Sequence, residues 1–279
     1  MELRGKVAVI TGAAGGLGLA LARRCVERGM RLVLADVDGA ALATAAQQLP
    51  ATEPVIAEVD VTRGEEVESL ARLAYQRFGA VHLLFNNAGV GLVKPVAETT
   101  SNDWRWVLGV NLWGVIHGIA AFLPRMQAQA EESRIVNTAS AAGFLSDPGM
   151  AAYSVSKHAV VVLSETLHQE LAQASSRVGV TVLCPAFFPT GIGDSERTRP
   201  RELTDPTPAS AEAQQVQERL RQAVAAGRLG ADDVAARAIH GVVARQLYVF
   251  THPRIRFAIE ERLRRVLEAC PPPPVTRPP

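Results

Sequence analysis

The strongest indication of the fold of this chain is the segment Thr11-Gly12-Ala13-Ala14-Gly15-Gly16-Leu17-Gly18. It follows an apolar run, Val7–Ile10, that is typical of a strand buried on both faces, and it leads into a helix predicted over Leu17–Gly29. Between a strand and a helix, Gly12 can make the tight turn and Gly16 can let the backbone approach a phosphate. Gly18 then allows the helix to pack closely on the sheet.

Free amides at the start of that helix, together with the helix dipole, would hold a pyrophosphate. The stretch therefore predicts a dinucleotide site, and the alternative is a glycine-rich turn that binds no ligand. The expected cofactor contacts here are Gly12, Ala14, Gly15, Gly16, Leu17 and Gly18.

Strands and helices alternate along the chain on both sides of this stretch. The predicted strands are Val7–Ile10, Leu32–Ala35, Val55–Val59, Leu83–Phe85, Arg134–Asn137, Val180–Leu183 and Leu247–Phe250. The predicted helices after the first are Ala40–Leu49, Glu65–Phe78, Trp104–Met126 and Tyr153–Ala174. This alternation predicts an α/β fold of the Rossmann type, a doubly wound, seven-stranded parallel sheet with helices on both faces.

We expect a single domain over residues 1–265, followed by a Pro-rich tail over 266–279. Thr190–Pro208 is rich in Pro, Arg, Asp and Thr and predicts a mobile loop before a helix at Ala209–Ala226. We expect residues 190–230 to supply the substrate loop and lid helices. Arg254–Ala269 predicts a further helix, for which a subunit contact or plain packing is favoured over a membrane surface.

Asp36 closes the second strand, 24 residues after Gly12. An acidic side chain at about this offset accepts hydrogen bonds from the adenosine ribose and would repel a 2′-phosphate. Val37 follows it, and no Arg or Lys lies inside the glycine turn. These residues predict NAD rather than NADP, and the alternative is a solvent-facing loop aspartate.

Tyr153 and Lys157 stand four residues apart and share one face of a predicted helix. A free tyrosine has a pKa of about 10, and a nearby ammonium favours the phenolate. Lys157 would lower the pKa of Tyr153 and reach the nicotinamide ribose. Ser140, at the end of a strand, would hydrogen-bond a substrate oxygen, and Asn111 would link the lysine to solvent through water if its helix bulges locally.

The order of these motifs resembles that of the short-chain dehydrogenase/reductase family over nearly all of residues 3–260. The resemblance rests on Thr11-Gly12-x-x-x-Gly16-x-Gly18, Asp60-Val61, Asn86-Asn87-Ala88-Gly89, Asn111, Ser140 and Tyr153-x-x-x-Lys157. It implies that Tyr153 is the general acid/base and that Lys157 lowers its pKa and binds the ribose. It further implies that Ser140 orients the substrate and that Asn111 completes a proton relay.

The resemblance also implies the remaining cofactor contacts and the partners of the chain. Asp60 and Val61 would contact adenine, and Asn87, Ala88 and Gly89 would lie along the adenosine half. After the sixth predicted strand the family has Pro-Gly, whereas this chain has Pro185-Ala186-Phe187-Phe188-Pro189-Thr190. The expected contacts near the nicotinamide are Pro185, Phe188 and Thr190. A homodimer or homotetramer is the assembly that the family implies.

Three segments should line the substrate crevice, namely residues 90–96, 141–150 and 186–199. Their apolar side chains are Leu92, Val93, Phe144, Leu145, Met150, Phe187, Phe188 and Ile192. They favour an apolar secondary alcohol or ketone as the substrate, and the alternative is that several of them only pack the loops against the sheet.

The composition argues against several other classes of protein. The chain of 279 residues carries 29 basic and 28 acidic residues, which gives no electrostatic case for nucleic acid or an anionic membrane. The cysteines Cys25, Cys184 and Cys270 form no Cys-x-x-Cys pair, and the histidines show no metal-ligand spacing. We therefore expect a cytoplasmic protein without a metal.

Two other functions stay open from the sequence. One is an epimerase or dehydratase that retains NAD, although such relatives have a longer C-terminal substrate domain. The other is a nucleotide-sensing or scaffold protein of the same fold, which would be expected to lack Tyr153 or Lys157.

Overall fold

The computed structural model describes residues 1–49, 53–204 and 210–270, and these ranges contain one seven-stranded sheet. Its strands are Val7–Thr11 (β1), Arg31–Asp36 (β2), Val55–Glu58 (β3), Leu83–Asn86 (β4), Ser133–Thr138 (β5), Val178–Cys184 (β6) and Tyr248–Phe250 (β7). All neighbours are parallel, in the order β3-β2-β1-β4-β5-β6-β7. The chain reverses its direction of travel across the sheet between β1 and β4, and a crevice opens there at the carboxyl ends of the strands. The predicted fold class is confirmed.

Helices cover both faces of the sheet. They are Gly16–Glu27 (α1), Gly39–Gln47 (α2), Gly64–Phe78 (α3), Ser101–Leu108 (α4), Gly114–Ala128 (α5), Ala151–Gln173 (α6), Ala211–Ala225 (α7), Ala231–Val243 (α8) and Ile255–Glu268 (α9). On one face, Leu21 of α1 and Ile239 of α8 pack with strand residues such as Ile10. On the other face, Leu70 of α3 and Phe122 of α5 pack in a second apolar cluster. Burial of both faces explains why the central strands are continuous apolar runs.

The predicted helix Trp104–Met126 is interrupted in its middle. Gly109–Trp113 forms one wide π-helical turn between α4 and α5, and Asn111 lies in it. The local bulge on which the proposed role of Asn111 depends is therefore present. Ser101–Ala128 is also long and apolar enough to cross a membrane by length and composition, yet Phe122 and Met126 are fully buried inside the domain, as in a core helix.

Two segments differ from the sequence prediction. Residues 190–203 were expected to form a mobile loop, but Gly191–Thr198 and Arg201–Leu203 are 3-10 helical. The rest of the predicted loop, 205–208, lies outside the described residues. Helix α8 was not predicted at all, although its apolar residues recur at helical spacing and Asp232 and Asp233 occupy its first turn, where acidic side chains favour a helix start.

The C-terminal helix α9 begins one residue after the predicted start and contains no buried residue. It continues to Glu268, so its last three residues, 266–268, lie where we expected the Pro-rich tail. The tail prolines, 271–274, lie outside the described residues.

Candidate active site

A cavity of about 950 Å³ opens at the carboxyl ends of β1, β4, β5 and β6. The predicted site residues that line it are Gly12, Ala14, Gly15, Gly16, Leu17, Gly18, Asp36, Val37, Asp60, Val61, Asn87, Ala88, Gly89, Ser140, Tyr153, Lys157, Pro185, Phe188 and Thr190. Of the predicted residues, Asn111 does not line it. Residues that lie up to 178 positions apart in the chain are thus brought to one surface.

The glycine turn is shaped by close approaches that exclude side chains. A Cβ at Gly18 would overlap the carbonyl oxygen of Gly12, so α1 can begin this close to the turn only with glycine there. Gly12 has φ +67, and a Cβ on it would lie 2.7 Å from the Cα of Ala88. Gly16 has φ +50 and faces Thr190 at ordinary contact distance, so the turn also requires left-handed backbone that favours glycine.

The start of α1 is left uncapped. Its N-cap Gly15 has no side chain to accept a hydrogen bond, and the first turn carries no acidic residue. The helix therefore presents unpaired amides and the positive end of its dipole next to the cavity, which suits an anionic phosphate group. Asn87 ties this turn to the end of β4, because its Nδ2 donates to the carbonyl oxygens of Thr11 at 3.0 Å and Gly12 at 3.3 Å.

Asp36 lies at the end of β2, and both of its carboxylate oxygens accept hydrogen bonds from backbone amides. Oδ2 accepts a hydrogen bond from the amide of Ala14 at 2.9 Å, and Oδ1 accepts one from Asp38 at 3.1 Å. The carboxylate is thereby held at the edge of the cavity, beside the exposed side chain of Val37. Its remaining lone pairs can accept hydrogen bonds from ribose hydroxyls.

The neighbouring wall, at the end of β3, is built around Asp60. Its Oδ1 accepts hydrogen bonds from the backbone amide of Thr62 at 2.9 Å and the hydroxyl of Thr62 at 2.7 Å. Val61 is buried beside it and packs on Gly114, where a Cβ would lie 2.8 Å from its Cγ2. This wall offers an apolar contact and a fixed carboxylate, which fits a purine ring.

Tyr153 and Ser140 meet at the middle of the cavity. Tyr153 is 9% exposed at the start of α6, and burial raises its pKa, whereas its hydrogen bond with Ser140 acts in the opposite direction. The net direction is upward, which differs from the expectation that an ammonium would lower this pKa. The Ser140 hydroxyl also donates to the carbonyl oxygen of Pro185 at 3.3 Å and accepts from the amide of Ala142 at 3.2 Å, so its position is fixed.

Lys157 lies one turn further along α6. Its Nζ is 5.6 Å from the centre of the Tyr153 ring and donates to the carbonyl oxygen of Thr138 at 2.8 Å. Burial lowers its pKa to about 8, so the ammonium form still predominates at neutral pH. A positive charge at this distance favours the phenolate of Tyr153, and the ammonium has two further N–H groups that can donate to a ligand.

Asn111 is fully buried, and its side chain is engaged by the protein itself. Oδ1 accepts from the amide of Val90 at 2.8 Å, while Nδ2 donates to the carbonyl oxygen of Val90 at 3.0 Å and to Ser156 Oγ at 3.1 Å. A Cβ at Gly89 would lie 3.3 Å from Asn111 Oδ1 and 3.6 Å from Lys157 Nζ, so both side chains approach the same glycine. Asn111 therefore anchors the loop after β4, and its role in a relay stays a prediction.

The end of the cavity beyond Tyr153 is largely apolar. Seven of the eight apolar side chains expected there line it: Leu92, Val93, Leu145, Met150, Phe187, Phe188 and Ile192. The prediction for Phe144 is wrong. Its ring packs instead on the edge strand, 5.2 Å from the ring of Phe250, because β7 presents two aromatic side chains toward it.

Several cavity residues were missed from the sequence. Trp106 and Val110 line the cavity from α4 and the π-helical turn, and their spacing of four residues next to Asn111 could have indicated them. Arg197, Leu203 and Val224 line it from within residues 190–230, where we expected the substrate loop and lid helices. His252, Arg254 and Ile255 line it from outside every segment that we expected at the site, and no local pattern indicates them.

Comparison with known proteins gives the same family. The family model described as short chain dehydrogenase matches residues 6–201. The chain is similar to a crystal structure of a short-chain dehydrogenase/reductase from Burkholderia phymatum in complex with NAD. The two are 46% identical with a TM-score of 0.95, and the match covers 99% of this chain and 100% of that one.

Two further relatives are named as dehydrogenases. A CLA biosynthesis dehydrogenase/reductase of Lactiplantibacillus plantarum is 31% identical over 270 residues, 95% of this chain and 94% of its own. A 1-deoxy-11-beta-hydroxypentalenate dehydrogenase of Streptomyces exfoliatus is 38% identical over 216 residues, 76% of this chain and 78% of its own. With the glycine turn, Ser140, Tyr153 and Lys157 assembled on one parallel sheet, the chain belongs to the short-chain dehydrogenase family of oxidoreductases.

Proposed function

We propose that this protein transfers a hydride reversibly between NAD(H) and an apolar secondary alcohol or ketone, with Tyr153 as the general acid/base. The observation that carries the proposal is the meeting of Ser140, Tyr153 and Lys157 in one cavity with the uncapped start of α1. We expect the working form to be a homodimer or homotetramer, as the family resemblance implies.

NAD is the proposed cofactor because of the residues at the end of β2. The Asp36 carboxylate is oriented by the amides of Ala14 and Asp38 and would accept hydrogen bonds from both ribose hydroxyls. A 2′-phosphate in the same place would meet a fixed negative charge. The Burkholderia neighbour, whose structure contains NAD, supports the same choice.

When bound, NAD(H) supplies or accepts the hydride. In the reductive direction the Tyr153 hydroxyl donates its proton to the substrate carbonyl oxygen, and the product is the neutral alcohol. In the oxidative direction the Tyr153 phenolate accepts the hydroxyl proton. The Ser140 hydroxyl would turn its proton from the Pro185 carbonyl oxygen to the substrate oxygen and hold that oxygen at Tyr153. The Lys157 ammonium would stabilise the phenolate and bind the nicotinamide ribose.

The substrate class follows from the apolar end of the cavity. Leu92, Val93, Leu145, Met150 and Ile192 offer dispersion contacts to an apolar substrate, so we expect small polyols to be poorer substrates than apolar alcohols. The name of the Streptomyces relative gives a hydroxylated compound as the substrate of a dehydrogenase, which favours an alcohol here as well.

Replacement of Tyr153 by phenylalanine tests the proposal. Loss of a general acid/base should reduce kcat with the best alcohol by at least about 100-fold. The affinity for NADH, measured by calorimetry, should change by less than about twofold, because the ring and its packing remain. Steady-state assays of the wild type and Tyr153→Phe give both values.

Tyr248→Phe is the matched control. Tyr248 lies on the edge strand, hydrogen-bonded to Glu165 and outside the cavity, so its variant should keep wild-type turnover. Full turnover by Tyr153→Phe would disprove the assigned acid/base.

A further inference from the structure

One buried carboxylate near the cavity is not used by the proposed chemistry. Asp103 lies in the first turn of α4 and is 1% exposed. Its backbone partners make it part of a capping box, since its side chain accepts from the amide of Thr100 at 2.8 Å. A capping residue is ordinarily exposed, and this one is covered by two cations from elsewhere in the chain.

The two cations come from two different walls of the substrate end. Lys94, from the segment after β4, donates to Asp103 Oδ2 at 3.0 Å. Arg199, from the segment 190–203 that we call the lid, donates to Oδ1 at 2.7 Å. Burial raises the pKa of Asp103, but the hydrogen bonds from Thr100, Lys94 and Arg199 outweigh it and hold the pKa below its usual value. The carboxylate is therefore ionised wherever the protein is folded near neutral pH.

Arg199 connects this carboxylate to the surface of the cavity. Its Nε donates to the carbonyl oxygen of Leu203 at 2.9 Å, and its guanidinium lies 4.9 Å from the centre of the Trp106 ring. Trp106 and Leu203 both line the cavity, as does Pro200 beside Arg199. This side chain thus links the lid to α4, beside the hydrogen bond from the amide of Gly91 to Ser195 that links the lid to the segment after β4.

The other charged contacts of the lid are weaker anchors. Arg197 pairs with Asp38 at 3.4 Å and Arg221 pairs with Asp194 at 3.6 Å, and all four side chains are more than a third exposed. Exposed pairs contribute little because water and salt screen them. The Arg199 side chain is 6% exposed and Asp103 is 1% exposed, so water and salt screen their attraction much less than that of the exposed pairs.

We propose that a cluster of Asp103, Arg199 and Lys94, here called the Asp103 clamp, determines which substrates fit the cavity. It does so by holding two walls of the cavity, the lid and the segment after β4, against α4. Arg199 and Asp103 are positioning residues, which act through Trp106 and Leu203. The inference rests on the proposed function, because it specifies how that same cavity selects bulky apolar substrates over small ones.

Arg199→Met tests the clamp, since it keeps an apolar stem over Trp106 and removes the charge. Contacts between the cavity wall and the substrate are made equally in the ground state and the transition state, so their loss should affect KM rather than kcat. For the best cyclic apolar ketone we expect KM to rise at least about tenfold and kcat to stay within about threefold of the wild-type value. The KM for a small acyclic ketone, which does not extend to the lid, should change by less than about threefold. The affinity for NADH should change by less than about twofold. Arg199→Lys should recover part of the loss because it restores the charge.

Arg245→Met is the matched control. Arg245 pairs with Glu132 on the exposed surface, away from the cavity, so its variant removes an arginine ion pair without touching the lid. Its KM values should equal those of the wild type. Equal KM changes for the cyclic and the small ketone in Arg199→Met, or no change in either, would overturn the proposal.

A second measurement does not depend on turnover. Glutamyl endopeptidase can cut the lid after Glu196 and Glu202, which are both exposed. Loss of the ion pair between Arg199 and Asp103 should let the lid detach from α4. Cleavage after these two glutamates should then be at least about tenfold faster in Arg199→Met than in the wild type or Arg245→Met. Unchanged cleavage would overturn the clamp. Absence of wild-type turnover with every alcohol and ketone would instead overturn the proposed function, and the cleavage rates would still test the clamp.

Discussion

Gly18 shows at a single residue why the glycine turn tolerates little change. A side chain there would overlap the Gly12 carbonyl oxygen, which belongs to the backbone and cannot rotate away. For Gly18→Ala we predict a loss of about 1–3 kcal/mol in the free energy of unfolding, because α1 must move off the turn. Urea denaturation measures it, and NADH affinity should fall in the same variant.

Gly15→Ala is the control at the same turn. Gly15 has extended backbone with φ −174, and a Cβ on it would have no atom within 4 Å. The free energy of unfolding should therefore change by less than about 0.5 kcal/mol. Equal losses in the two variants would mean that the close approach of α1 to the turn is not what the glycine at 18 provides.

At the scale of elements, the π-helical turn between α4 and α5 places Asn111 against the loop after β4. Its side chain satisfies both the N–H and the C=O of Val90, which is itself buried. Asn111→Ala leaves these two groups unpaired, so we predict a loss of about 3 kcal/mol in the free energy of unfolding. Urea denaturation again gives the value.

Asn102→Ala provides the comparison on the same stretch of helix. Asn102 makes one long contact at the surface, with Arg105 at 3.5 Å, and its loss should change the free energy of unfolding by less than about 0.5 kcal/mol. If Asn111→Ala lost turnover and kept wild-type stability, Asn111 would serve a proton relay alone and not anchor the loop.

At the scale of the whole molecule, the sequence predicted the features that local patterns determine. The seven strands are apolar runs bounded by turns, and the glycine turn, Ser140, Tyr153 and Lys157 occur at spacings that local chemistry explains. The Asp103 clamp could not be predicted, because Lys94, Asp103 and Arg199 each have the appearance of ordinary surface charges. Arg199 comes 96 residues after Asp103, and only the folded chain buries them together.

The wrong predictions also arise from contacts that local sequence patterns do not reveal. Phe144 was assigned to the cavity from its place in a segment, but the aromatic side chains of the edge strand β7 compete for it. The lid was predicted as a loop from its composition, whereas the buried Arg199 and the hydrogen bond from the amide of Gly91 to Ser195 at 2.9 Å give it a fixed structure. Both outcomes depend on contacts between segments that are remote in the chain.

Asp36 at the cavity edge suits NAD rather than NADP, and calorimetric titration of the purified protein with NADH and with NADPH at one salt concentration measures this preference. We predict that NADH binds at least about tenfold more tightly than NADPH, a difference of about 1.4 kcal/mol, and that Asp36→Ala reduces this difference. Equal or tighter binding of NADPH would contradict it, and would mean that an arginine of the cavity wall, such as Arg197, takes a 2′-phosphate despite Asp36.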